Sequence, residues 1–388
     1  MSARTRAVAY ILILCLVTTG VYLPARALSP APSLSVSAQS AVLIEAQSGE
    51  VVYAKNADAP LPMASTTKIM TALVALSLAS PDTVIRTDAR AVGVEGSSIY
   101  LIEGEELTLE QLLYALLLES ANDAAAAIAI GLSGSVEAFA DEMNRTARKM
   151  GLTNTHFTNP HGLDDAAHYT TAYELALVTR AALENELIRE IVSTYKATIP
   201  HASLETGRLL VNHNRLLRTY DGCIGVKTGY TQRSGRSLVS AAERDGVRLI
   251  AVTINAPNDW NDHKSMLDYG FTCYKSVVLC EAGEILHTMP VVGGKKSNMT
   301  LGNTETVRLT LPVTAGEITR HVECRRFEYA PTVKGGVYGY AVFLCDTDGD
   351  GRVEEIARVP LYAQKSVKQN KVKRGFWAWL KRLFGFEK

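Results

Sequence analysis

The chain has 388 residues, 47% hydrophobic and 21% charged, with 40 basic side chains balancing 40 acidic ones. This composition carries enough apolar material for a large core and excludes a disordered or fibrous protein. Zero net charge supplies no global field for nucleic acid, so none is expected as a partner. The length fits two domains of roughly 150 residues each, with extra segments at the ends.

At the N-terminus, Arg4 and Arg6 form a basic start and Ala7 to Val17 is almost wholly apolar. Ala25-Arg26-Ala27 then offers a small-x-small cleavage site. Residues 1–27 therefore read as a secretory signal peptide, with Leu28 as the mature N-terminus. The apolar run is shorter than the ~20 residues that a membrane span prefers. Cys15 follows Leu14, not the small residue of a lipoprotein site. Cys223, Cys273, Cys280, Cys324 and Cys345 remain after cleavage. Their odd number and irregular spacing give no disulfide framework, and buried free thiols are expected.

Residues 28–40, rich in Ser, Pro and Ala, read as a leader. Ala41 to Lys55 reads as two strands around a Ser-Gly turn. A helix follows at "LPMASTTKIMTAL", Leu61 to Leu73. "LTLEQLLYALLLESANDAAAAIAIGL" is a long helical region with a break near Ser120. "VEAFADEMNRTARKMGL" and "TAYELALVTRAALEN" are helical, separated by the loop "HFTNPHGLDD". From "GVKTGYT" onward the pattern turns to strands, with a hairpin turn at Arg244-Asp245-Gly246. The segment "HKSMLDYGFTCY" is a closing helix. Strands at both ends with helices between predict an α+β domain over residues 41–277, one antiparallel sheet packed by a helical cluster. Short β-type runs over residues 278–363 predict a small all-β domain. Residues 364–388 form a distinct tail.

Ser65 and Lys68 stand three residues apart and share a helix face. A lysine amine acts as a base only when neutral, which burial and nearby positive charge favour. Taken alone, the pair also fits an ordinary helix start with one solvated lysine. Two further stretches decide between these readings. Ser120-Ala121-Asn122 lies at the helical break, and Lys227-Thr228-Gly229 opens the strand region. Ser-x-x-Lys, Ser-x-Asn and Lys-Thr-Gly, in that order in an exported chain, form the signature of penicillin-recognising serine enzymes.

The chain resembles the serine-type D-alanyl-D-alanine carboxypeptidases, the low-molecular-mass penicillin-binding proteins. The likeness runs through "PMASTTKIMTAL", "GSSIYLIEGEELTLEQLLYALLLESANDAA", "FTNPHGLDDAAHYTTAYELA", "NHNRLLRTYDGCIGVKTGYT" and "MLDYGF", within residues 40–272, and is weaker over residues 278–363. It implies a penicillin-recognising, transpeptidase-like fold and these roles. Ser65 attacks the carbonyl between two D-alanines and Lys68 takes its proton. Ser120 relays a proton to the leaving amine. Asn122 holds the substrate amide and orients Lys68. Lys227 and Thr228 receive the terminal carboxylate, and Gly229 lets the substrate lie close. The backbone N–H groups of Ser65 and Tyr230 form the oxyanion hole. The reaction passes through an acyl-enzyme that water hydrolyses, with no metal or organic cofactor. The implied partners are the peptidoglycan pentapeptide stem as substrate and β-lactam antibiotics as inhibitors.

Three other functions remain to be weighed. A β-lactamase needs a water-activating carboxylate, and no Glu-x-x-Leu-Asn stretch lies between the second and third motifs. A D,D-endopeptidase shares all the named residues. A non-catalytic penicillin-binding scaffold has no need of Ser65, Lys68 and Ser120 together. Elsewhere, His156 and His161 lack a zinc spacing and read as loop or packing residues. Asp346 to Gly351 resembles a calcium loop, but Ala357 occupies the position that wants Glu, so a tight turn is expected. Asn298-Met299-Thr300 is a formal glycosylation sequon that a chain of bacterial character leaves unused.

In the tail, Lys365, Lys368, Lys371, Lys373, Arg374, Lys381, Arg382 and Lys388 face only Glu387. Phe376, Trp379, Leu380, Leu383 and Phe384 recur at helical spacing, giving an apolar face beside a basic one. Such a helix suits an in-plane anchor on an anionic membrane, and the resembled family often carries one. The expected location is the outer face of the cytoplasmic membrane.

Overall fold

A computed structural model describes residues 34–370 and 375–384. The signal sequence read at residues 1–27 lies outside the described residues, as do tail residues 371–374 and 385–388.

In chain order, a hairpin of β1 (Ser40–Glu45) and β2 (Val51–Lys55) comes first. A single 3-10 turn, Ala64–Thr67, leads into α1 (Lys68–Leu78). Short strands β3 (Val84–Arg86) and β4 (Glu106–Thr108) pair with each other. Helix α2 (Leu109–Tyr114) starts on a reciprocal Thr108–Gln111 capping box and continues as a π turn over Ala115–Glu119. Helices α3 (Asn122–Ser133), α4 (Val136–Lys149), α5 (Ala172–Glu184) and α6 (Glu186–Ser193) follow. Ser135, Thr171 and Asn185 cap the last three of these. Next come β5 (Lys196–Ile199), β6 (Arg208–Val211), the single turn α7 (Leu216–Thr219), then β7 (Cys223–Thr231), β8 (Gly235–Arg244), β9 (Val247–Ile254) and α8 (Asp259–Cys273).

The main sheet is antiparallel with strand order β2-β1-β9-β8-β7, built from both ends of this region as the sequence predicts. β1 is buried along its whole length, as a central strand covered on both faces must be. β7 is an edge strand, so the Lys227-Thr228-Gly229 stretch has one side free of sheet neighbours. The helices pack into one apolar cluster that includes Ile69, Leu112, Leu116, Ile128, Phe139 and Ile250.

The remaining strands form the β-rich region: β10 (Tyr274–Cys280), β11 (Ile285–Val292), β12 (Asn298–Gly302), β13 (Val307–Pro312), β14 (Thr319–Cys324), β15 (Glu328–Tyr329), β16 (Val337–Cys345) and β17 (Glu354–Ala363). β10 pairs with β13, and the others form a six-stranded sheet of order β14-β16-β17-β12-β11-β15. Helix α9 (Gly375–Leu383) ends the described chain. The architecture is α+β followed by a separate sheet-rich part.

Several expectations are corrected in detail. The leader is not all outside the fold: Val36 and Ala38 are buried, and Ser37 Oγ donates to Asp262 Oδ2 at 2.6 Å. A boundary at residue 277 cuts through β10, whose residues Tyr274 to Cys280 pair with β13. The tail read from residue 364 begins inside the sheet-rich core, because Val367 is buried there and bridges Thr332. The β5–β6 hairpin is an element beyond those expected from the sequence. Asp346 to Gly351 is the turn between β16 and β17, and Ala357 sits opposite Phe343 within the ladder. Cys223, Cys273, Cys280, Cys324 and Cys345 are free thiols.

The β5–β6 hairpin is locked by a buried ion pair. Arg208 Nη1 and Nη2 donate to Glu105 Oε1 and Oε2 at 2.6 and 2.8 Å, with side chains 7% and 2% exposed. Removing one partner strands the other charge away from water. Arg208→Ala should therefore cost about 3–5 kcal/mol of stability. Glu105→Leu/Arg208→Met should cost much less. Urea denaturation of both variants checks the expectation, and equal losses would refute it.

Candidate active site

The site is assembled around the turn before α1. Lys68 is fully buried. Its Nζ lies 3.0 Å from Ser65 Oγ and donates to Asn122 Oδ1 at 2.7 Å and to the His161 carbonyl at 2.6 Å. A neutral amine has two N–H groups and one lone pair. The two carbonyl-type oxygens use both N–H groups, and the lone pair is left facing the Ser65 hydroxyl. Burial holds the Lys68 pKa well below the ordinary lysine value; the Lys227 charge lowers it further and Asp123 opposes. The arrangement can accept a proton from Ser65.

The loop over residues 159–168 closes one side. Thr158 N–H donates to His168 Nδ1 at 3.1 Å, so that nitrogen carries no proton. The Nε2–H of His168 then points to Thr67 Oγ1 at 2.8 Å, and Thr67 Oγ1 donates to the Ala64 carbonyl at 2.8 Å. Burial pushes the His168 pKa down to about 4 and that of His161 to about 3, so both rings stay neutral. Gly162 has φ +87°, and a Cβ there would stand 2.0 Å from Ala64 O. Only glycine fits that approach.

Edge strand β7 closes the other side. A Cβ on Gly229 would stand 3.1 Å from both Ala64 Cβ and Ser65 N. The strand backbone therefore runs directly against the serine turn. Lys227 is buried behind it and donates to Thr228 O at 2.9 Å. Burial pushes its pKa down to about 7, opposed by Glu119. Ser120 sits in the left-handed region at φ 61° and ψ 30°, between the π turn and α3. A non-glycine residue holds that conformation at a cost, as residues at functional sites often do.

These parts line one cleft of about 320 Å³. Ser65, Ser120, Thr228, Gly229 and Tyr230 border it. Lys68, Asn122 and Lys227 lie behind that lining and are 0%, 4% and 1% exposed. Both ends of the Asn122 amide are engaged, Oδ1 by Lys68 and Nδ2 by the Glu95 carbonyl. The geometry gives Asn122 the orientation of Lys68, and Nδ2 keeps a second N–H beyond the one donated to Glu95.

Sequence reasoning missed several residues. Buried Asp123 accepts hydrogen bonds from Ser98 Oγ at 2.6 Å, Ile99 N at 3.2 Å and Leu101 N at 2.9 Å, which fixes the segment beside Ser97 on the cleft wall. Its place directly after Ser-Ala-Asn was the available signal. His213 lines the cleft and meets Glu119 at 3.3 Å. Arg236, paired across the ladder from Tyr230, contacts Asp259 Oδ2 through Nε and Nη2, each at 3.0 Å, beside the Trp260 ring. No local pattern marks these, because they meet only through the sheet and α8.

A buried lysine amine against a serine hydroxyl, set beneath the edge strand of an antiparallel sheet, defines a penicillin-recognising serine peptidase. The profile of the D-alanyl-D-alanine carboxypeptidases, Peptidase_S11, matches residues 26–258. D-alanyl-D-alanine carboxypeptidase DacF of Bacillus subtilis is 34% identical over 362 residues, 91% of this chain and 90% of that one. The crystal structure of penicillin binding protein 5 from Haemophilus influenzae is 28% identical, with a TM-score of 0.63 over 86% of this chain and 98% of that one. A peptidoglycan synthesis regulatory factor (PBP3) from Streptococcus pneumoniae is 25% identical, with a TM-score of 0.71 over 86% of this chain and 100% of that one. The chain belongs to the D-alanyl-D-alanine carboxypeptidase family and is a serine peptidase of the penicillin-binding type.

The charges around Lys68 shift the pH at which its amine loses its proton. Asp123 favours the charged amine, so Asp123→Asn should move the acidic limb of β-lactam acylation to lower pH. Lys227 disfavours the charged amine, so Lys227→Ala should move that limb to higher pH. The pH dependence of the acylation rate constant tests both directions. Shifts of the same sign would remove Lys68 as the titrating base.

Proposed function

We propose that Ser65 is the nucleophile and Lys68 its base in removing the terminal D-alanine from peptidoglycan pentapeptide stems. The observation that carries this reading is the Lys68 amine, buried with both N–H groups donated and its lone pair toward Ser65 Oγ at 3.0 Å. Ser65 attacks the carbonyl between the two D-alanines as its proton passes to Lys68. The N–H groups of Ser65 and Tyr230 stabilise the oxyanion where β7 passes the serine turn. The stem lies extended along the β7 edge. The terminal carboxylate meets the Thr228 hydroxyl and the Lys227 charge, with Arg236 as a further cation on the same cleft. Carboxylate binding restores the proton on Lys227 that burial disfavours. Ser120 passes a proton to the leaving amine, D-alanine departs, and water hydrolyses the ester. A β-lactam enters the same step and stays as the acyl group.

The catalytic part spans residues 41 to about 273 in this reading, followed by the sheet-rich domain. The enzyme is exported by a signal peptide and held to the outer face of the cytoplasmic membrane by its tail. Supporting the last point, Trp379, Leu383 and Phe384 are 54%, 60% and 62% exposed on or beside α9. Among the described residues no single helix is long and apolar enough to cross a membrane, which suits an in-plane anchor.

Purified enzyme incubated with pentapeptide stems should release one D-alanine, read by mass. A cross-linked dimer should be cut more slowly; faster cutting of the dimer would make the enzyme an endopeptidase. Penicillin should add one adduct to the intact mass, and Ser65→Ala should abolish it. An adduct that survives on Ser65→Ala would sink the assignment.

Truncation should fall after Asn370 and not after Ala363, because Val367 belongs to the sheet-rich core. That shortened enzyme should hydrolyse soluble pentapeptide normally and lose most of its sedimentation with anionic vesicles. Undiminished sedimentation would place the anchor elsewhere.

A further inference from the structure

The sheet-rich region has two electrostatically different ends. β16 runs from Val337 to Cys345 and returns as β17. The turn between them carries Asp346, Asp348 and Asp350. The junction with the catalytic part lies at this acidic end: Val313 N donates to Cys273 O and Gly316 N donates to Asp346 O, each at 2.8 Å.

The opposite end is formed by three segments tied to one another. Lys295 N donates to Lys368 O at 2.8 Å, Thr332 N donates to Val367 O at 2.9 Å, and Lys334 N donates to Ser366 Oγ at 2.8 Å. This end exposes Lys295, Lys296, Arg326, Lys334, Lys365 and Lys368. Its acidic residue Glu328 is met by Arg325 at 3.2 Å, and among the described residues the six other cations form no ion pair. Phe327, Tyr329 and Val333 stand among them, 43%, 64% and 65% exposed. The Phe327 and Tyr329 rings pack edge to face with centroids 5.3 Å apart, so they form one fixed apolar knob. The chain also leaves the sheet here, where Asn370 N donates to Gly293 O at 2.8 Å. The amphipathic tail follows directly.

We propose that this basic, aromatic end of the sheet-rich region is a second lipid-docking surface, seated on an anionic bilayer. The inference rests on the membrane reading of the tail and goes beyond it. Rings settle at the headgroup level while lysine and arginine reach lipid phosphates. A protein surface bound to another protein would want a balancing acidic partner; a bilayer supplies anionic charge over the whole face. Continuity with the tail favours lipid, because both surfaces leave the fold at one place and meet one plane. The acidic end and the catalytic part then point away from the membrane. The tail alone would leave the enzyme free to tumble on its tether; two contacts fix which way the cleft faces.

The test uses the full chain beginning at Leu28, with vesicles of phosphatidylglycerol and phosphatidylcholine in equal parts. Lys295→Glu/Lys296→Glu should weaken vesicle binding by about tenfold or more. Arg148→Glu/Lys149→Glu, an equal charge change on exposed positions of α4, should have far less effect. Hydrogen exchange of the unaltered chain should slow at residues 292–297 and 327–335 on vesicle addition, and stay unchanged at 346–353. Activity on soluble pentapeptide should match in all three proteins. Equal binding by both double variants, or no slowing at the basic end, would overturn the second surface while leaving the tail anchor standing. Failure of the unaltered chain to bind these vesicles would overturn the membrane reading and this inference together.

Discussion

The structure depends on keeping one lysine amine out of water. A charged Lys68 in that position would be unfavourable, and a neutral one is a base. Burial alone does not aim the lone pair. That is done by two oxygen acceptors from distant parts of the chain, Asn122 Oδ1 and the His161 carbonyl. Each acceptor is fixed in turn: Asn122 by the Glu95 carbonyl and by its place at the start of α3, His161 by the 159–168 loop lying on the Ala64 turn. Much of the packing around the helical cluster can be read as the means of holding these two oxygens still.

The second constraint is closeness. The edge of β7 must run against the serine turn without pushing it away: a Cβ on Gly229 would crowd Ser65 N at 3.1 Å, and on the other side of the turn a Cβ on Gly162 would clash with Ala64 O at 2.0 Å. The same edge is open because no further strand among the described residues pairs with β7. An exposed edge is ordinarily a liability for aggregation. Here the free edge faces the cleft and the serine turn, so the backbone groups that invite aggregation are placed where an extended peptide substrate can meet them.

Charge is distributed with a similar economy. Lys68 and Lys227 are both buried; burial and then the Lys227 charge disfavour the Lys68 proton, opposed by Asp123, and burial disfavours the Lys227 proton, opposed by Glu119. In the sheet-rich part the charges instead separate, acidic beside the catalytic part and basic where the tail departs. Overall neutrality in composition hides this polarity, because the separation runs along one domain and cancels in the sum.

The sequence by itself determined the family and named the residues proposed for its chemistry. Ser65 with Lys68, Ser120 with Asn122, and Lys227 with Thr228 and Gly229 are legible because each pair or triplet must share a single turn or strand, which fixes its spacing. The α+β order of strands and helices was legible for the same reason, since periodicity is local. The tertiary structure decided everything that joins those pieces. Glu105 and Arg208 are 103 residues apart, and Lys68 and His161 are 93 apart. Neither separation leaves a pattern in the sequence. Arg236, Asp259 and Trp260 enter the cleft only because β8 pairs with β7 and α8 packs beside them. The π turn that delivers Ser120 in a left-handed conformation, and the burial of Val367 in a segment that reads as tail, were likewise settled by packing. A local spacing rule records which groups must meet within one element. Contacts between elements are chosen by the burial of whole surfaces, which no short stretch of sequence encodes.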